Sequence, residues 1–571
     1  MGDFIKTQNS FADGEVAPEF YASDNIKGLS KLLNMDVLSG GGLTRRPGLK
    51  RIDSLSQPAR LIPFSVAEDE EYIIALTNYH MYIYHNGVKI QDIITAWPYD
   101  AVHNIQYAHR FSTMIFVHPD YKPYVIQKES GIFKIAEFSF QTNDADLSVN
   151  IPFVKFDDAV GVTITISGSE MGNNYELFTT NKSFWTPDSV GSVILLMGLQ
   201  WRIVRYIDPT QVIAYVNATF ERPKEPVTDW YESAFGTRRG WPCSIAFHQD
   251  RLVFGGTHSW PGGIWMSCVG QHRNFNAGTG LDDEAIFVSL LSQHRQQIHT
   301  IVSSDNLQIL TNSGEWAISS NPLTPSSIDV KQHTTVGSYM ARYLPPQKIE
   351  GATIFVSGNG NDIRQLTLDE LGEYYNANDL CRLSKHLISQ PVDIAYNKIS
   401  RQLFIVQENG KMAVLNQNSA LGISAWGTYE TAGLFLSVAV CDGKAFAMVQ
   451  RQDKFFLECF AAAEMKDSND YDFSFVASSL PMRASGHNVR KLRVRKISAR
   501  VLDTKSISIN QNYINLPNDI YAPGASGFTG DVSINLLGAS SNGFDVAWTI
   551  HGNDALPATV LTVTIYGTYS V

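Results

Sequence analysis

One arrangement recurs along this chain and constrains its fold more than any other feature. An apolar strand, a short polar turn and a second apolar or alternating strand appear at 60–90, 104–135, 242–267, 298–319, 351–368, 392–416 and 435–460. Each copy has room for two or three strands of about six residues, the usual strand length. The turns carry hairpin chemistry: Asn86-Gly87, Asn409-Gly410, Asp442-Gly443 and Ser313-Gly314 suit tight reversals that need positive φ. A unit this short cannot bury both faces of its own sheet. Radial stacking of copies removes that problem, so the pattern predicts an all-β chain built on a β-propeller of about seven blades.

The remaining segments read as additions to that frame. Residues 1–59 form an N-terminal arm with the first strands, 60–135 the first part of the propeller and 231–464 its second part. Between them, 136–230 carries its own alternation in "GVTITISGSE" and "VIAYVNATF" and closes on the Pro-rich "ERPKEPVTDW", which predicts a small inserted β-domain. Composition shifts again at 465–571, read as a C-terminal β-domain. Helix signals are weak; the best is 376–389, "NANDLCRLSKHLIS", where Asn378 or Asp379 could cap a short helix.

Composition excludes some functions. The net charge is -11, so the whole chain lacks the basic footprint of a sequence-independent DNA binder. Five scattered cysteines, Cys243, Cys268, Cys381, Cys441 and Cys459, form no CxxC pair and read as reduced, packed thiols. The start, "MGDFIKTQNS", has no apolar signal region, and no apolar run has membrane-span length. A soluble protein made in a cytoplasm is expected.

Catalytic patterns fail in turn. There is no GxxxxGK[ST], HExxH or GxSxG. "SGNGND" (357–362) lies between strands and reads as a hairpin turn. "DSNDYD" (467–472) lacks the glycine and glutamate of a calcium loop and reads as a solvated linker. "HPD" (118–120) and "HQD" (248–250) sit at strand ends, where His and Asp serve local hydrogen bonding. No catalytic residue, metal ligand or cofactor is assigned. The one basic run, "NVRKLRVRKISAR" (488–500), alternates, so Arg493 and Arg495 form the cationic face of a half-buried strand. That face is solvated, or meets an acidic partner or DNA phosphates.

The stretch "LSGGGLTRRPGLKR" (38–51) combines three glycines with paired arginines. A phosphate nest needs consecutive free N–H groups. Pro47 removes one, and no helix pattern follows. A glycine-permitted turn with Arg45 and Arg46 reaching a carboxylate fits better.

These residues lie within a longer resemblance. Phe11, Gly14, Glu15, Pro18, Asp24, Asn34, Gly41, Gly42, Leu43, Arg45, Arg46, Pro47 and Gly48 match the N-terminal pattern of the tail nozzle proteins of short-tailed bacteriophages, also called tail tubular protein B. "HPDYKPYVI" (118–126), "GWPCSIAFHQDRLVFGGT" (240–257), "NSGEWAIS", "LTPSSI", "ANDLCRLSKHL" (377–387) and "ISAWGTYETAG" (423–433) resemble later elements of that family in order. The tail "GNDALPATVLTVTIYGTYSV" also resembles it. The likeness is weakest at 136–230 and 465–530.

The resemblance implies a non-enzymatic virion protein. It forms a ring, usually hexameric, at the distal end of a short tail and is assembled in the bacterial host cytoplasm. Its partners are the tail adaptor (head-to-tail connector) protein, tail fibres or spikes, and viral double-stranded DNA passing through the lumen. Arg45 and Arg46 are the candidates for a subunit or adaptor contact, or for an internal carboxylate clamp, and Arg493 and Arg495 the candidate strand facing a partner or DNA; gate residues are not assigned. Two other classes stay open: a receptor-binding or fibre-docking module, and a propeller glycosidase, which would need carboxylates converging at the propeller axis.

Overall fold

A computed structural model describes residues 2–21, 25–67, 69–143, 147–172, 174–292, 295–462, 465–468, 470–481, 491–522, 525–541 and 546–570. The chain divides into two compact units, Met1–Val102 with Leu344–Val571, and His103–Tyr343.

The protein is all-β and of the β-propeller class. Among the described residues, six separate four-stranded sheets and the first four strands of a larger sheet make the blades. In the first unit, blade 1 runs from Arg60–Ala67 to Val88–Ile94, blade 5 from Gln347–Ile349 to Tyr375–Asp379, and blade 6 from Pro391–Asn397 to Ile423–Tyr429. Blade 7 takes Leu434–Cys441, Lys444–Arg451 and Lys454–Ala461 from one stretch and its outer strand, Gly48–Leu55, from near the N-terminus. In the second unit, blade 2 runs from Gln106–Arg110 to Ile132–Glu137, blade 3 from Ser244–His248 to Ile286–Ser289, and blade 4 from Ile298–Ser303 to Val330–Thr334.

Within each unit the first strand of one blade packs beside the first strand of the next. This stacking explains the burial pattern. Middle strands such as Arg251–Gly255, Leu307–Thr311 and Ala352–Val356 are buried at every residue, because both faces meet neighbouring blades and alternation is lost. The outermost strand, such as Val88–Ile94, is largely exposed. Between blades 6 and 7, Phe404, Val406 and Val414 pack with Phe435, Val438 and Ala447. Between blades 3 and 4, Val253 and Ile264 pack with Ile301, Ile309 and Trp316.

A seven-stranded sheet from Phe153–Val154 to Trp230–Ser233 occupies the long gap between blades 2 and 3. Trp185, Trp201, Trp230 and Phe178 fill its core.

The chain ends interleave. Beyond Ile423–Tyr429, the blade 6 sheet continues through Gly14–Glu15 and Gly28–Leu33, and then through Phe475–Ser479 and Thr549–Gly552. A second sheet joins Met35–Val37 and Leu43–Arg45 to Thr559–Ser570, Lys491–Thr504 and Phe528–Ser541. Phe11, Leu29, Leu43, Val501, Trp548 and Val563 share one core. The C-terminal segment therefore does not close its own sheets; N-terminal strands complete them.

The helix expected at 376–389 is corrected. Tyr375–Asp379 is the outer strand of blade 5, and only Lys385–Leu387 turns, as a 3-10 helix. Sheet pairing with Arg364–Leu368 takes the backbone groups that a helix would use. Asp379 then accepts the Cys381 N–H in a local turn (3.1 Å), the competing role of Asn and Asp.

Candidate functional site

The corner at Arg46 is built from sequence outward. Leu43–Arg45 ends in the C-terminal sheet and Gly48–Leu55 begins in blade 7. Arg46-Pro47 thus carries the chain from one sheet to the other. Two glycines permit the approach: Gly41 has φ +82°, and a Cβ on Gly42 would lie 2.9 Å from the Val560 carbonyl.

The guanidinium of Arg46 is fully buried and every donor is used. Nε donates to Asn34 Oδ1 (2.9 Å); Nη1 donates to Pro47 O (2.8 Å) and Asp467 Oδ1 (3.0 Å). Nη2 donates to Glu430 O (2.9 Å) and Asp467 Oδ2 (2.7 Å). The pair is bidentate, the strongest geometry for this fork, and both side chains are 0% exposed. Asn34 also accepts the Glu430 N–H and donates to Ser474 O. Thr431 donates to Asp467 (2.7 Å) and accepts from Arg451 (2.9 Å), which pairs with buried Glu458. One polar network therefore spans the corner, blade 7 and the end of blade 6.

Arg45 lies beside it. Its Nη2 donates to Met465 O (2.7 Å), and both arginines sit over the Phe473 ring, 4.0 and 3.6 Å from its centroid. Burial, with Arg46 adjacent, pushes the Arg45 guanidinium down to about 10.

These positions correct two expectations. Arg45 and Arg46 are 6% and 1% exposed, so neither reaches a neighbouring subunit or adaptor; the carboxylate of Arg46 is Asp467 of the same chain. Within "DSNDYD" the solvated-linker reading fails at Asp467, which is 0% exposed, and holds at Asp470 and Asp472, which are exposed. The unpaired positive fork of Arg46 in the sequence was a signal that such a carboxylate must exist, but nothing local located it 421 positions away.

Other resemblance positions converge on the same region. Gly14 has φ +62° and pairs with Trp426; a Cβ there would fall 2.4 Å from the Trp426 backbone N and O. Glu15, 3% exposed, accepts the Leu32 N–H (2.8 Å) and meets Lys31 (3.4 Å) and His386 (3.2 Å). Phe11 meets Trp548 edge-on at 6.0 Å. Asp24 lies outside the described residues.

The cationic strand is of a different kind. On Lys491–Thr504, Val494, Ile497, Ala499 and Val501 are buried, while Arg493 and Arg495 are exposed. Neither arginine has an ion-pair partner among the described residues, whereas Arg500 pairs with Asp531 (2.9 Å).

The turn histidines take local partners: His118 Nδ1 accepts the Asp120 N–H (3.1 Å) and His248 Nδ1 meets Ser303 Oγ (3.0 Å). Among the described residues one cluster, Asp362, Asp379 and Cys381, has metal-ligand composition. Lys385 already lies 3.1 Å from Asp362 and 2.9 Å from Asp379, and burial pushes the Cys381 thiol up to about 12. An ammonium thus supplies the charge a cation would bring. The five cysteines are free thiols, and among the described residues no helix is long and apolar enough to cross a membrane.

No protein-family model and no curated protein matches the chain. Among solved structures it is similar to BamB from Moraxella catarrhalis (12% identity, 72% of this chain and 100% of that one, TM-score 0.34). It is also similar to the Neurospora crassa Pan2 WD40 domain (9%, 73% and 95%, 0.29) and to RRP9 WD40 repeats (8%, 73% and 100%, 0.34). Likenesses this distant carry nothing about function; the propeller rests on the chain's own strand order.

Proposed function

We propose that this chain is a structural virion protein of the tail nozzle type. It forms a distal ring, six-fold as is usual in the family it resembles, beneath an adaptor ring and beside fibres or spikes, and DNA is retained by it and leaves through it. The reading is supported by one observation above the others: the positions that carry the resemblance, Gly14, Glu15, Asn34, Arg46 and Pro47, are spent on fastening propeller and C-terminal sheets together. A conduit wall needs that rigidity and needs no reacting group.

The charge balance also suits passage. Each phosphate neutralised adds affinity through counterion release and slows movement. A subunit of net charge -11, repeated around a bore, keeps the wall weakly repulsive, and Arg493 and Arg495 are exposed cations that can guide a strand or meet an acidic partner.

Cryo-electron microscopy of the purified chain, with antibody labelling of intact virions, tests the reading. A closed ring and label at the tail tip are expected. Label at fibre ends would favour a receptor-binding module, and a continuous basic lumen would contradict weak DNA binding.

A further inference from the structure

The second unit carries a run of three depressions. A central cleft of about 630 Å³ shares Pro119, Asp120 and His258 with a neighbour of about 310 Å³. On its other side it shares Pro261 and Arg295 with a third of about 610 Å³. The origin is topological. In an antiparallel blade, the start of the first strand and the end of the second lie at one end. The cleft is lined from such ends: Asn104 and Gln297 precede first strands, while His118 ends the second strand of blade 2 and Thr257 and Asn312 follow those of blades 3 and 4.

Three features define what fits. The first is charge. Along the whole run the lining holds Asp120, Asp157 and Asp158 and also Lys122, Arg239 and Arg295, so positive and negative groups balance. Burial lowers His118 and brings His299 down to about 4, so neither adds positive charge at neutral pH. A phosphate polymer would find no basic track. The second is hydrogen-bonding character. A neutral imidazole offers one donor and one acceptor, and side-chain amides offer both; a hydroxyl matches either. The third is aromatic spacing. Half-buried Trp241 lies in one outer depression and Trp260 in the other, with Tyr343 in the centre.

We propose that this run of depressions is a binding groove for a linear, uncharged oligosaccharide, with Trp241 and Trp260 as stacking plates. The Asp120–His258 pair (2.7 Å) forms the polar rib between two sugar subsites. In the central cleft Asp120 is the single carboxylate among the described residues, where glycoside hydrolysis uses a pair. The proposal does not depend on the nozzle reading.

Saturation-transfer NMR on the full chain tests it, with maltohexaose, cellohexaose, chitohexaose and mannohexaose as probes and a 20-mer oligothymidylate as the charged control. At least one hexasaccharide is expected to bind, more tightly than its monosaccharide. Asp120→Asn and Trp241→Ala are each expected to weaken it about tenfold, the scale of one lost hydrogen bond or stacking contact. Asp120 is exposed (61%), so its variant retains the fold. The proposal is overturned if no hexasaccharide binds at millimolar concentration, or if binding is unchanged in both variants. Oligothymidylate competing for the same groove would also overturn it.

Discussion

Two pairs of arginines in the same unit show how burial decides what a charge does. Arg46 is sealed, its five N–H groups all placed on partners within the chain. Arg493 and Arg495 stand on an exposed strand face with no ion pair among the described residues. At Arg46 the charge is structural, since Asp467 and three further acceptors of the same chain take every donor. At Arg493 and Arg495 it is available to something outside the chain. Neighbouring arginines in a sequence thus carry opposite meanings according to what the fold brings over them.

The sharpest way to break this contrast is Arg46→Ala, which leaves Asp467 buried and unpaired. It should cost about 3–5 kcal/mol, read as a lowered midpoint in guanidinium unfolding. Arg46→Lys should fail to restore the midpoint, since an ammonium cannot supply the bidentate fork. A wild-type midpoint for either variant would remove the structural assignment.

Gly14→Ala comes next. Its positive φ and the 2.4 Å approach to Trp426 should cost about 1–3 kcal/mol, and hydrogen exchange should rise first along Ile423–Tyr429. Unchanged protection there would show that the N-terminal strand does not hold the blade 6 sheet.

A pH titration of stability extends the comparison to the second unit. Burial lowers His299 from 6.5 to about 4. The folded state then binds fewer protons than the unfolded chain between those values, so stability present above pH 6.5 is lost as pH falls towards 4. His299→Gln should flatten that part of the curve; an unaltered slope would assign it elsewhere.

The smallest stability effect is expected for Arg493→Ala with Arg495→Ala. Unfolding should shift by no more than about 0.5 kcal/mol, while salt-sensitive self-association, followed by light scattering, should weaken. A large loss of stability would place these side chains with Arg46 rather than apart from it.

Much of the frame was legible along the chain. Asn-Gly and Asp-Gly turns fix local reversals, and a hairpin is a short-range object, so the repeats could be read residue by residue. Arg493 and Arg495 could be placed on one face because strand periodicity is also local. The segment at 376–389 misled because Asn378 and Asp379 suit either a helix cap or a turn, and only pairing with Arg364–Leu368 chose between them. His118 and Asp120 read as turn residues, and the Asp120 N–H does donate to His118; the meeting of Asp120 with His258 in one groove depends on blades 2 and 3 standing side by side.

By itself, then, the sequence determined an all-β chain of repeated hairpins with radial stacking as the way to bury them, and it marked Arg46 as a fork in need of a carboxylate. Tertiary structure decided that the carboxylate is Asp467, that Gly48–Leu55 completes blade 7, and that N-terminal strands complete the C-terminal sheets. The reason is physical. Turn type and strand period are set by a residue and its near neighbours, whereas an edge strand or a buried charge accepts any partner of the right chemistry, and only the folded chain selects which one arrives.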